Sequence, residues 1–168
     1  MVWSCLVSIL PGMAQTEKLT DYVNPFVGTD GYGNVYPGAQ IPFGGIQISP
    51  DTDSRFYDAA AGYKYNHLTL MGFSLTHLSG TGIPDLGDFL FIPGTGEMKL
   101  EPGTHEDPDQ GYRSRYSHDK EWASPNYYAV ELADYGVKAE MTSGVRSGMF
   151  RFTYPESDNA FIMIDMNH

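Results

Sequence analysis

The chain has 168 residues, 41% of them apolar, which suits one domain with a buried core. It carries 21 Asp and Glu against 10 Lys and Arg, a formal net charge of −11. With no basic cluster to neutralise phosphates, a nucleic-acid partner is excluded, whereas a neutral polyol or plain solubility both fit the acidity.

Val2 to Gln15 has the form of a short secretory signal. Trp3 to Leu10 is its apolar core and Gly12-Met13-Ala14 its small-residue cleavage site. Residues 1–14 are therefore expected to be a signal peptide, atypical in lacking Lys or Arg before the apolar run. The run is too short to cross a bilayer, so a periplasmic or secreted protein without a membrane span is expected. Cys5, the one cysteine, lies inside this segment, and bulky Trp3 argues against lipid attachment there. The mature chain would then have no disulfide, cysteine metal site or thiol nucleophile.

Glycine, proline and tyrosine are plentiful and long helical periodicity is missing, which predicts an all-β domain. Asn24-Pro25-Phe26 is extended, since proline restricts the residue before it. The glycine-rich run Gly28 to Asn34 resembles a phosphate loop only superficially, for no Lys follows it. Ile41 to Ser49 reads as a strand, with Pro42 near an edge and Pro50-Asp51-Thr52-Asp53 ending it. Ala59-Ala60-Ala61-Gly62-Tyr63-Lys64-Tyr65 reads as a loop.

Gly72 to Asp88 is the stretch richest in chemistry. It gathers His77, Asp85, Asp88, four hydroxyl residues (Ser74, Thr76, Ser79, Thr81) and glycines at 72, 80, 82 and 87. Glycine lets a backbone approach a ligand, and polar loops on rigid sheets concentrate binding groups. A self-bonded turn region is the competing reading. Phe89 to Ile92 then reads as a strand buried on both faces and stopped by Pro93-Gly94.

Glu97 to Trp122 is polar, rich in Pro and Gly, and expected to be mostly loop. The alternation of Tyr128, Val130 and Leu132, then of Val137, Ala139 and Met141, predicts a hairpin turned by Asp134-Tyr135-Gly136. Met149 to Tyr154 is a further strand with Phe150, Phe152 and Tyr154 on one side. Ala160 to Met166 reads as a buried strand. The chain stops directly after it, which is expected of a domain cut short.

Several segments recur in order from a known family. They are Val23 to Thr29, Tyr36 to Ala39 with Pro42-Phe43-Gly44, Gln47 to Thr52, Gly62-Tyr63 with Tyr65, and Gly72-Phe73-Ser74. Thr76 to Gly82, Asp85 to Asp88, Tyr116-Ser117-His118, Ala123-Ser124-Pro125 with Tyr127-Tyr128, and Tyr135 to Glu140 follow. Over residues 21–168 the chain resembles the amino-terminal domain of glycoside hydrolase family 92, the calcium-dependent exo-acting α-mannosidases.

The resemblance implies a β-sandwich that packs on an (α/α)6 barrel and removes α-linked mannose from N-glycans or mannans with inversion. The acid, the base and the calcium site lie in the barrel, which would be missing from this chain. Amino-terminal loops complete the pocket. No catalytic residue and no metal ligand is therefore expected here, and the chain alone should bind no calcium and be inactive. Its partners would be an α-mannoside glycan and the barrel.

By the same resemblance Gly72 to Asp88 would be a pocket wall. The candidate substrate-binding residues are His77, Ser79, Gly80, Thr81, Asp85 and Asp88, together with Tyr63. Asp85 and Asp88 suit hydroxyl contacts or loop-fixing bonds better than an acid–base pair, whose spacing for inversion is set by an intervening water. His77 either donates to a mannose hydroxyl or is satisfied within its loop. Tyr63 and Tyr65 either offer rings to a sugar or pack on a sheet. Asp30 and Asn34 supply too few oxygens for calcium. Two departures matter. Ala59-Ala60-Ala61 stands where members acting on α-1,2 linkages carry a bulky aromatic, and Leu75 stands where histidine is frequent. The alternatives to an enzyme part are a free carbohydrate-binding sandwich and a structural domain docked on a barrel.

Overall fold

A computed structural model describes residues 17–53, 57–80 and 82–168. The segment expected to be a signal peptide lies outside them. Among the described residues there are ten strands: β1 (Ser49–Asp51), β2 (Thr69–Leu70), β3 (Gly72–Ser74), β4 (Leu90–Thr95), β5 (Ser114–Arg115), β6 (Glu121–Ser124), β7 (Tyr127–Leu132), β8 (Val137–Ser143), β9 (Gly148–Thr153) and β10 (Ala160–Asp165). They form two four-stranded sheets, β1-β3-β4-β10 and β6-β7-β8-β9, and a short β2-β5 pair. All the pairings are antiparallel.

The expected hairpin is β7 and β8, in register from Tyr128↔Met141 to Leu132↔Val137. Its turn closes on Gly136 at φ 63°, a conformation that favours glycine. Tyr128, Val130, Leu132, Val137, Ala139 and Met141 are all buried in one cluster with Phe73 of β3. From β9, Phe150 and Phe152 bring their rings within 6.3 and 6.1 Å of Phe73, and Phe150 lies 5.1 Å from Phe91 of β4. These contacts press the two sheets face to face. Each such side chain removed from water stabilises by about 1.5–3 kcal/mol. The opposite face of the first sheet carries a second cluster, Met71, Leu90 and Ile92 with Tyr112 and Met163.

The architecture is the expected all-β sandwich, but four local expectations differ. Residues 41–48 form only an isolated bridge, Ala39↔Ile48, and the strand begins at Ser49. Pro42 lacks an N–H, and Phe43 sits at φ 60°, so the chain turns there. Pro50 does not end the strand. It lies inside β1, opposite Phe73, and an edge strand tolerates it. Pro93-Gly94 likewise continues β4. Within the ladder β3 pairs with β4 only at Phe73↔Phe91, so Pro93 faces a partner strand on one side, and a Cβ on Gly94 would lie 2.4 Å from the Phe161 ring. Finally, β10 is not buried. It is the edge of its sheet, and Ile162 and Ile164 are 53% and 52% exposed.

The polar section 97–122 is mostly irregular, yet Glu121 already belongs to β6 and is buried. Its carboxylate accepts from the hydroxyls of Tyr63 (2.9 Å) and Tyr128 and lies 2.6 Å from His118 Nδ1. Burial, with the Glu121 charge beside them, pushes both phenols well above their ordinary range. Buried Arg113 donates to the Thr52 carbonyl and to Thr69 Oγ1, which ties the end of β1 to the segment before β5.

Candidate functional site

The rim of the first sheet holds a cavity of about 280 Å³. Asp51 of β1, residues 60–62, Thr76 and His77, Pro84 to Gly87, and His168 line it. Most of the wall is loop rather than ladder, so its shape rests on individual hydrogen bonds. The Gly62 carbonyl accepts from Thr52 N (2.6 Å) and Asp53 N (3.2 Å), which fastens the 60–62 segment to the end of β1. Thr76 O accepts from Gly87 N at 3.0 Å, and His77 bridges to Leu86, so the 76–87 loop folds back on itself.

Two glycines make the close packing feasible. Gly62 has φ 85°, and a Cβ there would lie 2.3 Å from Asp51 Oδ1. Gly87 has φ 97°, and a Cβ there would lie 2.9 Å from the His168 ring. Leu86 and Asp88 also occupy the left-handed region, at φ 73° and 59°. Non-glycine residues held there carry strain of the kind that clusters at ligand-binding loops.

Beneath the cavity lies a buried polar network. His77 Nε2 is 2.9 Å from Asp51 Oδ1, and His77 Nδ1 is 2.6 Å from the Gln47 carbonyl. Ser74 Oγ donates to Asp51 Oδ2 at 2.6 Å and lies 3.1 Å from His77 Nε2. His168 Nε2 stands 3.7 Å from Asp51 Oδ1. Burial alone would push the Asp51 carboxyl up, but His77 and His168 more than offset it and hold it well below the usual carboxylate range. For His168, burial opposes charging, yet the Asp51 carboxylate, together with the charges of Asp165 and Asp53, raises its pKa.

Of the residues expected from the sequence, His77 and Asp85 line the cavity. Asp85 is exposed, and its Oδ1 accepts from Leu86 N at 2.9 Å. Asp88, Ser79 and Gly80 are exposed and lie off the cavity lining. Asp88 accepts from Thr76 Oγ1 at 3.2 Å, and Gly80 N donates to the Asn34 carbonyl at 2.6 Å. Thr81 lies outside the described residues. Tyr63 follows Gly62 but turns inward, 2% exposed, to bond Glu121. Tyr65 stacks on His118 with centroids 3.9 Å apart.

Sequence reasoning missed Asp51 and His168. In the sequence Asp51 reads as part of a strand-ending turn and His168 as a chain end. The one available signal was an acid inside the motif Gln47 to Thr52, which nothing in its neighbours separated from a turn aspartate.

Calcium does not fit this donor set. It takes six to eight oxygens, whereas Asp51 is committed to His77 and Ser74. Among the described residues no three acids or histidines gather into a metal-binding group.

An antiparallel β-sandwich with a loop-walled polar cavity at one sheet rim is the class that these features define. The model of the glycosyl hydrolase family 92 N-terminal domain matches residues 22–168, and the chain belongs to that family. It is 99% identical to a family GH92 α-mannosidase from Bacteroides thetaiotaomicron, solved with mannoimidazole, at a TM-score of 0.89 over 90% of this chain and 20% of that one. A family GH92 inverting mannosidase from the same organism is 28% identical, at a TM-score of 0.72 over 89% and 20% of the two chains. An uncharacterized secreted glycosidase of Arthroderma benhamiae is 30% identical over 139 residues, which is 82% of this chain and 17% of that protein. The chain thus spans about a fifth of the length of these relatives.

Proposed function

We propose that this chain is the pocket-completing, carbohydrate-binding domain of an inverting exo-α-mannosidase acting on N-glycans or mannans. The observation that carries the reading is the cavity of about 280 Å³. It is lined by the segments through which the sequence resembles the family, Gly62 and the Thr76–Gly87 loop, and it opens beside Ala60 and Ala61. Small side chains there leave room beyond the sugar being cleaved. Thr76, Asp85 and backbone groups of the loops supply donors and acceptors for hydroxyls. The acid, the base and calcium belong to the partner barrel, and the protein works in the periplasm or outside the cell. A secreted relative supports that location, and among the described residues no helix is long and apolar enough to cross a membrane.

The chain incubated with calcium should not hydrolyse an aryl α-mannoside or mannobiose, yet should bind methyl α-mannoside in a titration followed by NMR. Turnover would overturn the assignment of the acid and base to another domain. Binding mapped away from residues 60–62 and 76–87 would overturn the pocket.

A further inference from the structure

We propose that Asp51 is the positioning residue of this pocket and that it holds His77 as an imidazolium whose two N–H groups are both committed to the protein. The proposal rests on reading the cavity as a mannoside pocket. A neutral imidazole has one N–H and one lone pair, whereas a carbonyl and a carboxylate offer only lone pairs. His77 Nδ1 meets the Gln47 carbonyl at 2.6 Å, and Nε2 meets Asp51 Oδ1 at 2.9 Å. Among the described residues the remaining hydrogen-bond neighbour of Nε2 is Ser74 Oγ, and its proton goes to Asp51 Oδ2 at 2.6 Å. Both ring nitrogens must therefore donate.

The pair is out of water, with side chains 2% and 1% exposed, so the two charges depend on each other. The groups facing Asp51 are His77, Ser74 and, at 3.7 Å, His168. Those facing His77 are Asp51, Ser74, the Gln47 carbonyl and the Tyr36 ring, whose centroid is 5.1 Å away. No lone pair remains on His77 to take a proton from a hydroxyl or to bind a metal. The ring shapes the wall and contributes positive charge beneath it. Direct hydrogen bonds to a neutral sugar then fall to Thr76, Asp85 and loop backbone, and His77 acts through placement.

The test uses the 15N-labelled chain with methyl α-mannoside as probe. At neutral pH, His77 should show two protonated ring nitrogens. Asp51→Asn should return it to a neutral tautomer and weaken binding about tenfold, the scale of one charge-assisted contact. Ser74→Ala, which keeps the carboxylate, should preserve the imidazolium signature and most of the affinity. A neutral His77 in the unmodified chain overturns the proposal outright, so the test stands even if Asp51→Asn fails to fold. So does an imidazolium that survives Asp51→Asn. If the Asp51-dependent imidazolium is found but no mannoside binds, the positioning claim holds and the pocket reading fails.

Discussion

The β6–β9 sheet and the cavity wall are built on opposite principles. In the sheet, alternation of apolar and polar residues puts Tyr128, Val130 and Leu132 on one face and repeats across β8 and β9. Each residue's place follows from its parity, and the ladder repeats every two residues. The wall has no such repeat. Asp51, Gly62, His77 and His168 meet from four distant segments, and each contact is unique. The sheet is redundant and tolerates small errors, whereas the wall depends on single hydrogen bonds and on glycines at 62 and 87.

That contrast can be broken from the sheet side first. Phe73→Ala removes a fully buried ring packed against Phe150 and Phe152 and should cost about 3–5 kcal/mol. Urea unfolding would read this as a large fall in midpoint at nearly constant slope. An effect below about 1 kcal/mol would mean that the two sheets do not share a core. On the wall side, Gly62→Ala forces a Cβ to within 2.3 Å of Asp51 Oδ1 at a φ of 85°. It should cost about 1–3 kcal/mol. It should also abolish mannoside binding while the β7–β8 amide resonances stay in place. Loss of those resonances would show that the wall and the sheet fold as one unit.

A gentler lever separates the regions by pH. On the outer face of β8, Glu140 accepts from Arg151 (2.7 and 2.6 Å) and from Tyr127 (2.7 Å), and these bonds bring its carboxyl down to about 2. A folded pKa below the unfolded value gives stability that is present above the unfolded pKa and lost as pH falls through the folded one. Glu140→Gln should therefore flatten the acid limb of the stability curve between about pH 4.5 and about 2, leaving mannoside binding at neutral pH unchanged. An unchanged acid limb would show that the Arg151 pair contributes nothing.

The same contrast explains what could be read in advance. The hairpin, β9 and the sandwich class are local patterns, and family motifs pointed to the Gly72–Asp88 loop. The extent of β4 through Pro93-Gly94 was hidden, because whether proline breaks a strand depends on which side its neighbour lies. The exposure of β10 was hidden too: Ile162 and Ile164 are apolar, but burial is decided by what covers the sheet edge. Tyr63 illustrates the limit most sharply. Its sequence neighbour Gly62 lines the cavity, yet the Tyr63 hydroxyl points 58 residues along the chain to Glu121. Asp51 and His168 are separated by more than a hundred residues, and no period links them.

The smallest effects test whether the wall is as selective as its geometry implies. Asp85 and Asp88 lie in one loop and looked equivalent in the sequence, but only Asp85 lines the cavity. Asp88 is exposed and holds Thr76 Oγ1 at 3.2 Å. In a longer family enzyme carrying this chain, Asp85→Ala should raise KM for a mannoside with kcat nearly unchanged, as expected of a group that only holds a hydroxyl and so contributes uniform binding. Asp88→Asn keeps the acceptor for Thr76 and should leave KM unchanged, with stability altered by no more than about 0.5 kcal/mol. Equal effects at both positions would mean that the loop acts as a single rigid wall. A fall in kcat at Asp85 would bring the reacting atoms closer to this domain than its charges suggest, because a group that only holds hydroxyls contributes equally before and during the reaction.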